Sequence, residues 1–421
     1  MNEFQFDFKR TLNRINIFGF PLGILLSTCT KLRIEGLSIG IGEIILSIVT
    51  IISLVSIIFW GSEKKFPKNI ELFYYFWFFS FILMAIGAFF GFNLIQDYVF
   101  EDSLHDLFSY IFTSIVITIS WGVNVNTFNN TKKMVNIYLF YIFLYFILIL
   151  TAILSPDYTL FGTDFSFGGI RISGLSENPN QLACFCEIVP FLIVYQWKFQ
   201  SKLKYRIYLF LFLFLTIFIG FSTLSDGLIL SWSVAGGSCI VLWYLGITPL
   251  KKQSNFMKSL IYVLKFFVIP TTVIFIVSFV LLNTLQFAND VFDDGGQGSD
   301  RISRWENGIK AVKISPIFGF GAGSYSGETR PFEKEEAHNS LIDWTLSTGI
   351  VGLLLFLGIM MLYFKQLFYN RFLFCAAFGL LTYIMFGYFL RHPFFWFNII
   401  LLVQLAANQK KDFISRSQQI I

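Results

Sequence analysis

The stretch LSIGIGEIILSIVTIISLVSIIFW at residues 37–60 has Glu43 as its only charged side chain. A helix needs about 20 apolar residues to cross the ~30 Å hydrocarbon core of a bilayer, so this stretch predicts a transmembrane helix. A strand of a membrane barrel would instead alternate apolar and polar residues over about 10 positions. The continuous apolar run therefore favours a helix over a barrel strand.

Similar runs recur along the whole chain of 421 residues. Charged residues make up only 14% and hydrophobic residues 55%, whereas soluble domains carry roughly 25% charged residues. A water-soluble globule is thereby excluded. The sequence predicts an all-α polytopic membrane protein with about twelve spans, folded as a single membrane domain over residues 1–421. The predicted spans are 15–29, 37–60, 70–92, 105–124, 135–155, 178–197, 206–222, 226–246, 257–283, 338–364, 371–390 and 392–408.

The basic residues predict the orientation, because Lys and Arg concentrate in the cytoplasmic loops of membrane proteins. With the N-terminus inside, the cytoplasmic segments collect most Lys and Arg residues, and the short outer loops keep only Lys31, Arg33, Arg171 and Arg391. Both termini are therefore predicted to be cytoplasmic. The net charge of +5 reflects this sorting and is no argument for nucleic acid as a partner.

One long outer loop, residues 284–337, separates the ninth and tenth predicted spans. Loops longer than about 15 residues are usually functional or disordered. Ser299 or Asp300 can cap a short amphipathic helix in this loop, lying at the membrane surface. Its apolar stripe would consist of Ile302, Trp305, Ile309 and Val312. Arg301 and Arg304, one turn apart on a neighbouring stripe, either grip phosphate oxygens or snorkel to the interface.

The helix is followed by the glycine loop, residues 316–325, in which Gly319, Gly321 and Gly323 alternate with other residues. These glycines allow a close approach of backbones and a positive φ. The spacing does not fit a dinucleotide-binding motif. We expect a tight loop that returns the chain to the membrane surface.

His338 and Asn339 open the tenth predicted span at its outer end. A helix dipole disfavours a protonated ring at this position, so His338 is either a neutral imidazole able to accept a proton or an interfacial, helix-capping residue. Asp343 follows five residues later, and the i,i+4 spacing pairs it with Asn339 rather than with His338.

A second anion site is predicted where the sixth span begins. Asn178 is a good N-cap and Pro179 suits the first helical position, so free backbone amides would face outward next to Arg171. Simple capping is the alternative. Glu187 lies near the middle of this span, where a charge either lines a polar cavity or pairs structurally, for example with Lys265.

The ordered set Arg171-x-x-Gly174, Asn178-Pro179-Asn180, Arg301-x-x-x-Trp305, the glycine loop and His338-Asn339 resembles the O-antigen ligase and polymerase superfamily. The resemblance implies a metal-independent, inverting glycosyltransferase of the bacterial inner membrane, without a cofactor, that acts in lipopolysaccharide biosynthesis. Its partners would be an undecaprenyl-diphosphate-linked oligosaccharide, an acceptor glycolipid, the lipid bilayer and a chain-length regulator. The acceptor would be a second lipid-linked repeat for a polymerase, or lipid A–core for a ligase.

By this resemblance, His338 is the general base, Arg171 and Arg301 bind the diphosphate, and Arg304 assists. The supporting candidates are Asn178, Asn339, Asp343, Glu187, Asp226 and Arg391. Family ligases often carry a Ser-Arg-Gly-like element where this chain has Ser225-Asp226-Gly227, which favours the polymerase or transfers the role of that cation to Arg391.

A metal-independent glycosyltransferase has three alternatives at this stage: a transporter or flippase, a structural scaffold or receptor, and a metal-dependent transferase. A transporter or flippase fits the span count, although the sequence shows no internal repeat of the kind that transporters often have. An acidic pair, Asp293-Asp294, is either a solvated turn or a site for a divalent metal ion. The transferase interpretation requires Arg171, Arg301 and His338 to line one cavity.

Overall fold

The apolar runs form helices wherever the structure describes them, but the predicted span 371–390 is shorter than expected, since its α-helix ends at Tyr383 and Gly387 is extended. The structure is a computed structural model, and it describes residues 3–34, 39–60, 67–95, 100–124, 128–155, 157–244 and 297–418. The helices are α1 Glu3–Leu26, α2 Ile41–Trp60, α3 Lys68–Leu94, α4 Phe100–Asn124, α5 Phe128–Ile153, α6 Pro179–Trp197, α7 Leu203–Ser222, α8 Asp226–Tyr244, α9 Gln297–Val312, α10 Ser340–Leu367, α11 Arg371–Tyr383 and α12 Pro393–Gln418.

The prediction of an all-α polytopic membrane protein is confirmed. Six helices in the described ranges are long and apolar enough to cross a membrane. They are Ile41–Phe59, Lys68–Leu94, Ser103–Gly122, Asn130–Ile153, Leu203–Ser222 and Ser340–Leu367. The predicted ninth span, 257–283, and the start of the predicted outer loop lie outside the described residues. The full span count and the side on which the termini lie stay predictions.

Two small antiparallel hairpins interrupt the helices between α5 and α6. Strand β1 Thr159–Leu160 pairs with β2 Thr163–Asp164, and β3 Ser166–Phe167 pairs with β4 Arg171–Ile172. Lys31 joins the two hairpins and so anchors the second, because its Nζ donates to the carbonyl of Asp164 in β2 at 2.6 Å and to the hydroxyl of Ser173, just after β4, at 3.0 Å. The hairpin therefore holds Arg171 at a fixed place beside the start of α6.

The amphipathic helix predicted in the outer loop is α9, which begins at Gln297, before both predicted capping residues. Its small residues pack inward, since Ala311 is fully buried and a Cβ on Gly308 would lie 2.7 Å from Ile342. Ile302 and Ile309 of the apolar stripe are instead exposed. This arrangement is expected of a helix that lies on a membrane surface.

The glycine loop packs into a kink of α10 and does more than lead the chain back to the surface. Gly349 has φ 67° and ψ −174°, which interrupts the helix. The loop supplies partners to the freed backbone groups: Phe320 N donates to Leu346 O at 2.8 Å, and Ile350 N donates to Pro316 O at 2.8 Å. Irregular backbone at membrane depth is tolerated where protein groups satisfy it in this way. The predicted close approach of backbones is observed, since a Cβ on Gly319 would lie 2.4 Å from Leu346 O.

Candidate active site

A cavity of about 370 Å³ lies where the N-terminal ends of α6 and α10 meet α9 and the loop before α12. It is lined by Phe167, Arg171, Asn178, Asn180, Gln181, Arg301, Arg304, Glu336, His338, Phe386, Gly387, Tyr388, Phe389, Arg391 and His392. Arg171, Arg301 and His338 are distant in the sequence, yet they line the same cavity. This convergence is the geometry that the transferase interpretation requires.

Arg171 is held by two hydrogen bonds. Its Nε donates to the carbonyl of Thr223 at 2.9 Å, and its Nη2 donates to Oδ1 of Asn180 at 3.3 Å. Burial lowers the pKa of Arg171; Asp226 opposes this effect and Arg301 adds to it. Asp226, which replaces the expected cation, therefore acts electrostatically on Arg171 and does not itself line the cavity.

The N-terminus of α6 has the predicted cap. Oδ1 of Asn178 accepts from the backbone N–H of Asn180 at 2.8 Å, and Pro179 is the first helical residue. The carbonyl of Asn180 also accepts from the hydroxyl of Tyr383 at 2.5 Å. The backbone of Asn180, whose side chain orients Arg171, is therefore held by both α6 and α11.

The two arginines of α9 differ in their surroundings. Nη2 of Arg304 lies 3.2 Å from Oε2 of Glu328 and 3.1 Å from Oε2 of Glu335. Among the residues that the structure describes, Arg301 has no carboxylate partner within ion-pair distance. Arg304 is thus already neutralised, whereas Arg301 presents an uncompensated positive charge to the cavity.

His338 has a backbone φ of 52°, in the left-handed region. The carboxylate of Asp343 supports this conformation from the first turn of α10. Its Oδ1 accepts from Ala337 N at 2.8 Å, and its Oδ2 accepts from Asn339 N at 3.3 Å. Asp343 therefore pairs with Asn339 as the spacing predicts, and the pairing fixes the backbone on both sides of His338.

Asn339 caps α10, since its Oδ1 accepts from Leu341 N at 3.1 Å. The next residue, Ser340, donates from Oγ to the carbonyl of Gly387 at 2.6 Å and accepts from Phe389 N at 3.0 Å. These bonds join the start of α10 to the loop before α12. Two predicted supporting residues, Asn339 and Asp343, thus shape the cavity without lining it.

Glu336 is a cavity residue that our sequence analysis missed. Its Oε2 lies 3.7 Å from Nδ1 of His338, and its Oε1 accepts a hydrogen bond from Nη2 of Arg391. Nη1 of Arg391 donates in turn to Oδ1 of Asp106 at 2.8 Å. A chain of alternating charges therefore leads from α4 to the imidazole. The sequence offered one local indication of this contact, a carboxylate two residues before His338. The partner of that carboxylate, Arg391, is 55 residues away in the sequence.

Burial, together with the two arginines of α9, favours the neutral form of the His338 imidazole. Burial lowers the pKa of His338, the carboxylate of Glu336 opposes this, and Arg304 and Arg301 add to the lowering. Burial also works to lower the pKa of Arg391, but Glu336 and Asp106 outweigh it, and the pKa is raised overall. At neutral pH the cavity thus contains a free base beside permanent cations.

Glu187 does not line the cavity. It is fully buried in α6, and a Cβ on Gly379 of α11 would lie 2.3 Å from its Oε1. This places Glu187 in the contact between α6 and α11. Its predicted alternative partner, Lys265, lies outside the described residues.

Comparison with protein families gives an independent result. Residues 210–357 match the family model described as O-antigen ligase. Over these residues, the match confirms the predicted resemblance to the O-antigen ligase and polymerase superfamily. No curated protein matches the chain. The matched segment contains Arg301, Arg304 and His338, and the match supports an enzyme of surface-polysaccharide biosynthesis.

Proposed function

We propose that this protein is a polysaccharide polymerase of the bacterial inner membrane. It transfers a glycan from undecaprenyl diphosphate to a sugar hydroxyl of a second lipid-linked repeat at the periplasmic face. The observation that carries the proposal is the cavity in which Arg171, Arg301 and His338 converge. It combines a neutral base with cations, which is the combination that displacement of a diphosphate by a hydroxyl requires.

The reaction begins with the acceptor hydroxyl beside His338. As its oxygen attacks the anomeric carbon, the hydroxyl proton passes to the imidazole. General-base assistance of this kind contributes typically about 10²–10⁴-fold to the rate. Glu336, 3.7 Å from Nδ1 of His338, stabilises the imidazolium that forms.

The donor bond breaks on the opposite side of the anomeric carbon. The bond between that carbon and the phosphate oxygen breaks, and its electron pair leaves with the diphosphate. Diphosphate needs no proton to depart, so positive charges placed beforehand supply the stabilisation. Arg301 and Arg171 take this role, and Arg304 holds Arg301's helix through Glu328 and Glu335. Attack opposite the leaving group inverts the configuration.

No metal ion takes part in this mechanism. The acidic pair Asp293-Asp294, the alternative metal site, lies outside the described residues. Metal independence is tested by assaying the purified enzyme in excess chelator, where full activity is expected. Loss of activity that added Mg²⁺ or Mn²⁺ restores would contradict the proposal.

The decisive experiment incubates the purified protein with one synthetic lipid-linked repeat. Growth of the lipid-linked glycan without lipid A–core is the expected result. A strict requirement for lipid A–core would identify a ligase instead, the activity for which the matching family is named. Movement of the intact lipid-linked glycan across vesicles without bond formation would identify a flippase. The variant His338→Ala is the matched control, and it should give no elongation.

A further inference from the structure

A second cavity, of about 520 Å³, lies between α5, α6 and α7 at the end of α6 remote from the active-site cavity. The first cavity is lined by Asn178 and Asn180 at the start of α6, and the second by Gln196 at its end and Gln200 just beyond. The 19 residues of α6 span about 28 Å at 1.5 Å per residue, close to the ~30 Å thickness of a hydrocarbon core. The two cavities therefore lie about one hydrocarbon thickness apart, the separation expected of sites that face opposite leaflets.

Gln196 is an unusual side chain in this second cavity. It is only 2% exposed, and neither its Oε1 nor its Nε2 has a hydrogen-bond partner among the described residues. Buried polar groups are almost always hydrogen-bonded. The amide requires a ligand that offers both a donor and an acceptor.

The walls and the rim of the cavity are chemically distinct. Leu139 and Phe140 of α5 and Tyr208 and Leu209 of α7 contribute apolar walls to the cavity. Lys204 stands at the rim, with other basic residues nearby in the loop before α7 and in its first turn, and the sequence has no Asp or Glu between residues 188 and 225. The cavity is thus apolar inside, positively charged at its mouth, and polar where the buried amide lies.

We infer that this cavity binds an anionic glycerophospholipid with a hydroxyl-bearing headgroup, such as phosphatidylglycerol, from the leaflet opposite the active site. The Lys204 ammonium pairs with the phosphate, and basic pockets between membrane helices bind anionic headgroups in this way. A headgroup hydroxyl donates to Oε1 of Gln196, and an ester or phosphate oxygen accepts from Nε2. An acyl chain lies along Leu139, Phe140 and Tyr208.

The test is native mass spectrometry of the full-length protein in detergent, titrated with phosphatidylglycerol or phosphatidylcholine. The structure predicts a single saturable site for phosphatidylglycerol and markedly weaker binding of phosphatidylcholine. Lys204→Ala should weaken phosphatidylglycerol binding about fivefold, the effect of one basic residue near a membrane surface. Lys202→Ala is the matched control, because it removes the same charge only two residues from Lys204. The Lys202 side chain does not line the cavity, so this variant should leave binding unchanged.

A second variant, Gln196→Leu, keeps the approximate size of the side chain and removes both polar atoms. It should reduce the preference for phosphatidylglycerol over phosphatidylcholine to the part that Lys204 supplies, and an unchanged preference would contradict the inferred role of Gln196. Equal binding of the two lipids by the unmodified protein would overturn the inference without any variant. Equal weakening by Lys204→Ala and Lys202→Ala would overturn it as well, since it would indicate attraction to general surface charge.

Discussion

Nδ1 of His338 lies 3.7 Å from Oε2 of Glu336, while the other oxygen of Glu336 accepts from Arg391. The imidazole therefore has a carboxylate neighbour that a guanidinium holds in place. Asp106 binds the same guanidinium from α4 at 2.8 Å. This arrangement couples the protonation of the proposed base to charges on three separate parts of the chain.

The variant Glu336→Gln should shift the pH dependence of the reaction. Glu336 raises the pKa of His338 against the effects of burial and of the two α9 arginines, so its removal lowers that pKa further. Because the neutral imidazole is the active form, the acid limb of kcat/KM should move to lower pH. The rate should also fall about 10²-fold at neutral pH, since the imidazolium loses its stabilising carboxylate.

Glu333→Gln provides the control for this measurement. Glu333 belongs to the same segment, but its Oε2 accepts from Thr329 N at 2.9 Å and it does not line the cavity. Its replacement should leave the profile in place. An acid limb that stays fixed in Glu336→Gln would show that Glu336 does not act on the base.

Replacing Arg301 should lower activity more than stability, whereas replacing Arg391 should strongly lower the free energy of unfolding. Arg301→Ala leaves no described carboxylate without its partner, so the free energy of unfolding should change little. Its kcat should fall about 10²-fold, as expected when one preorganised donor is removed.

Arg391→Ala instead leaves Asp106 and Glu336 uncompensated in a largely buried position, which costs about 3 kcal/mol. Thermal unfolding and single-turnover rates of both variants separate the two effects, and a strongly destabilised Arg301→Ala would contradict this distinction.

The sequence predicted the features that depend on neighbouring residues. The apolar runs gave the positions of the helices, Asn178 and Asn339 were recognisable as caps, and the alternating glycines indicated a close backbone approach. Each of these depends on a few consecutive residues and on well-known backbone preferences.

The charge network could not be read from the sequence in the same way. Asp106 and Arg391 are 285 residues apart, and only helix packing decides which of the available carboxylates meets this guanidinium. For the same reason, the sequence did not indicate that Glu328 and Glu335 pair with Arg304. The left-handed backbone of His338 is supported by the hydrogen bond from Ala337 N to Asp343. This bond forms only when the chain has turned at His338, so the sequence alone did not indicate it.

Asp343→Asn should weaken catalysis without removing any group from the cavity. The carboxylate accepts from Ala337 N and Asn339 N, whereas an amide has one acceptor oxygen and would turn its NH₂ group toward the second donor. One unsatisfied backbone N–H costs about 1–3 kcal/mol. We expect a lower kcat with an unchanged KM for the donor, because Arg171 and Arg301 are not disturbed. Ser347→Ala, one turn deeper in α10, is the control, and an equal loss of kcat in that variant would indicate general damage to the helix.

Gly349→Ala tests whether the glycine loop and the kink of α10 form one structural unit. A Cβ at this position would lie 2.0 Å from the carbonyl oxygen of Ile317, and a backbone atom cannot move aside as a flexible side chain can. The positive φ of 67° adds about 1–3 kcal/mol of strain for any residue other than glycine. The hydrogen bond from Ile350 N to Pro316 O would be lost with the contact. We therefore expect a large fall in Tm and in the yield of monodisperse protein.

Gly358→Ala, on the same helix, is the matched control for this prediction. An added Cβ at Gly358 meets no atom within 4 Å, and Ala is favoured over Gly inside a helix by about 1 kcal/mol. This variant should retain or slightly raise the Tm measured in the same detergent. An unchanged Tm of Gly349→Ala would contradict the prediction. It would show that the backbone bonds from the glycine loop to Leu346 and Ile350 do not hold α10 in its bent form.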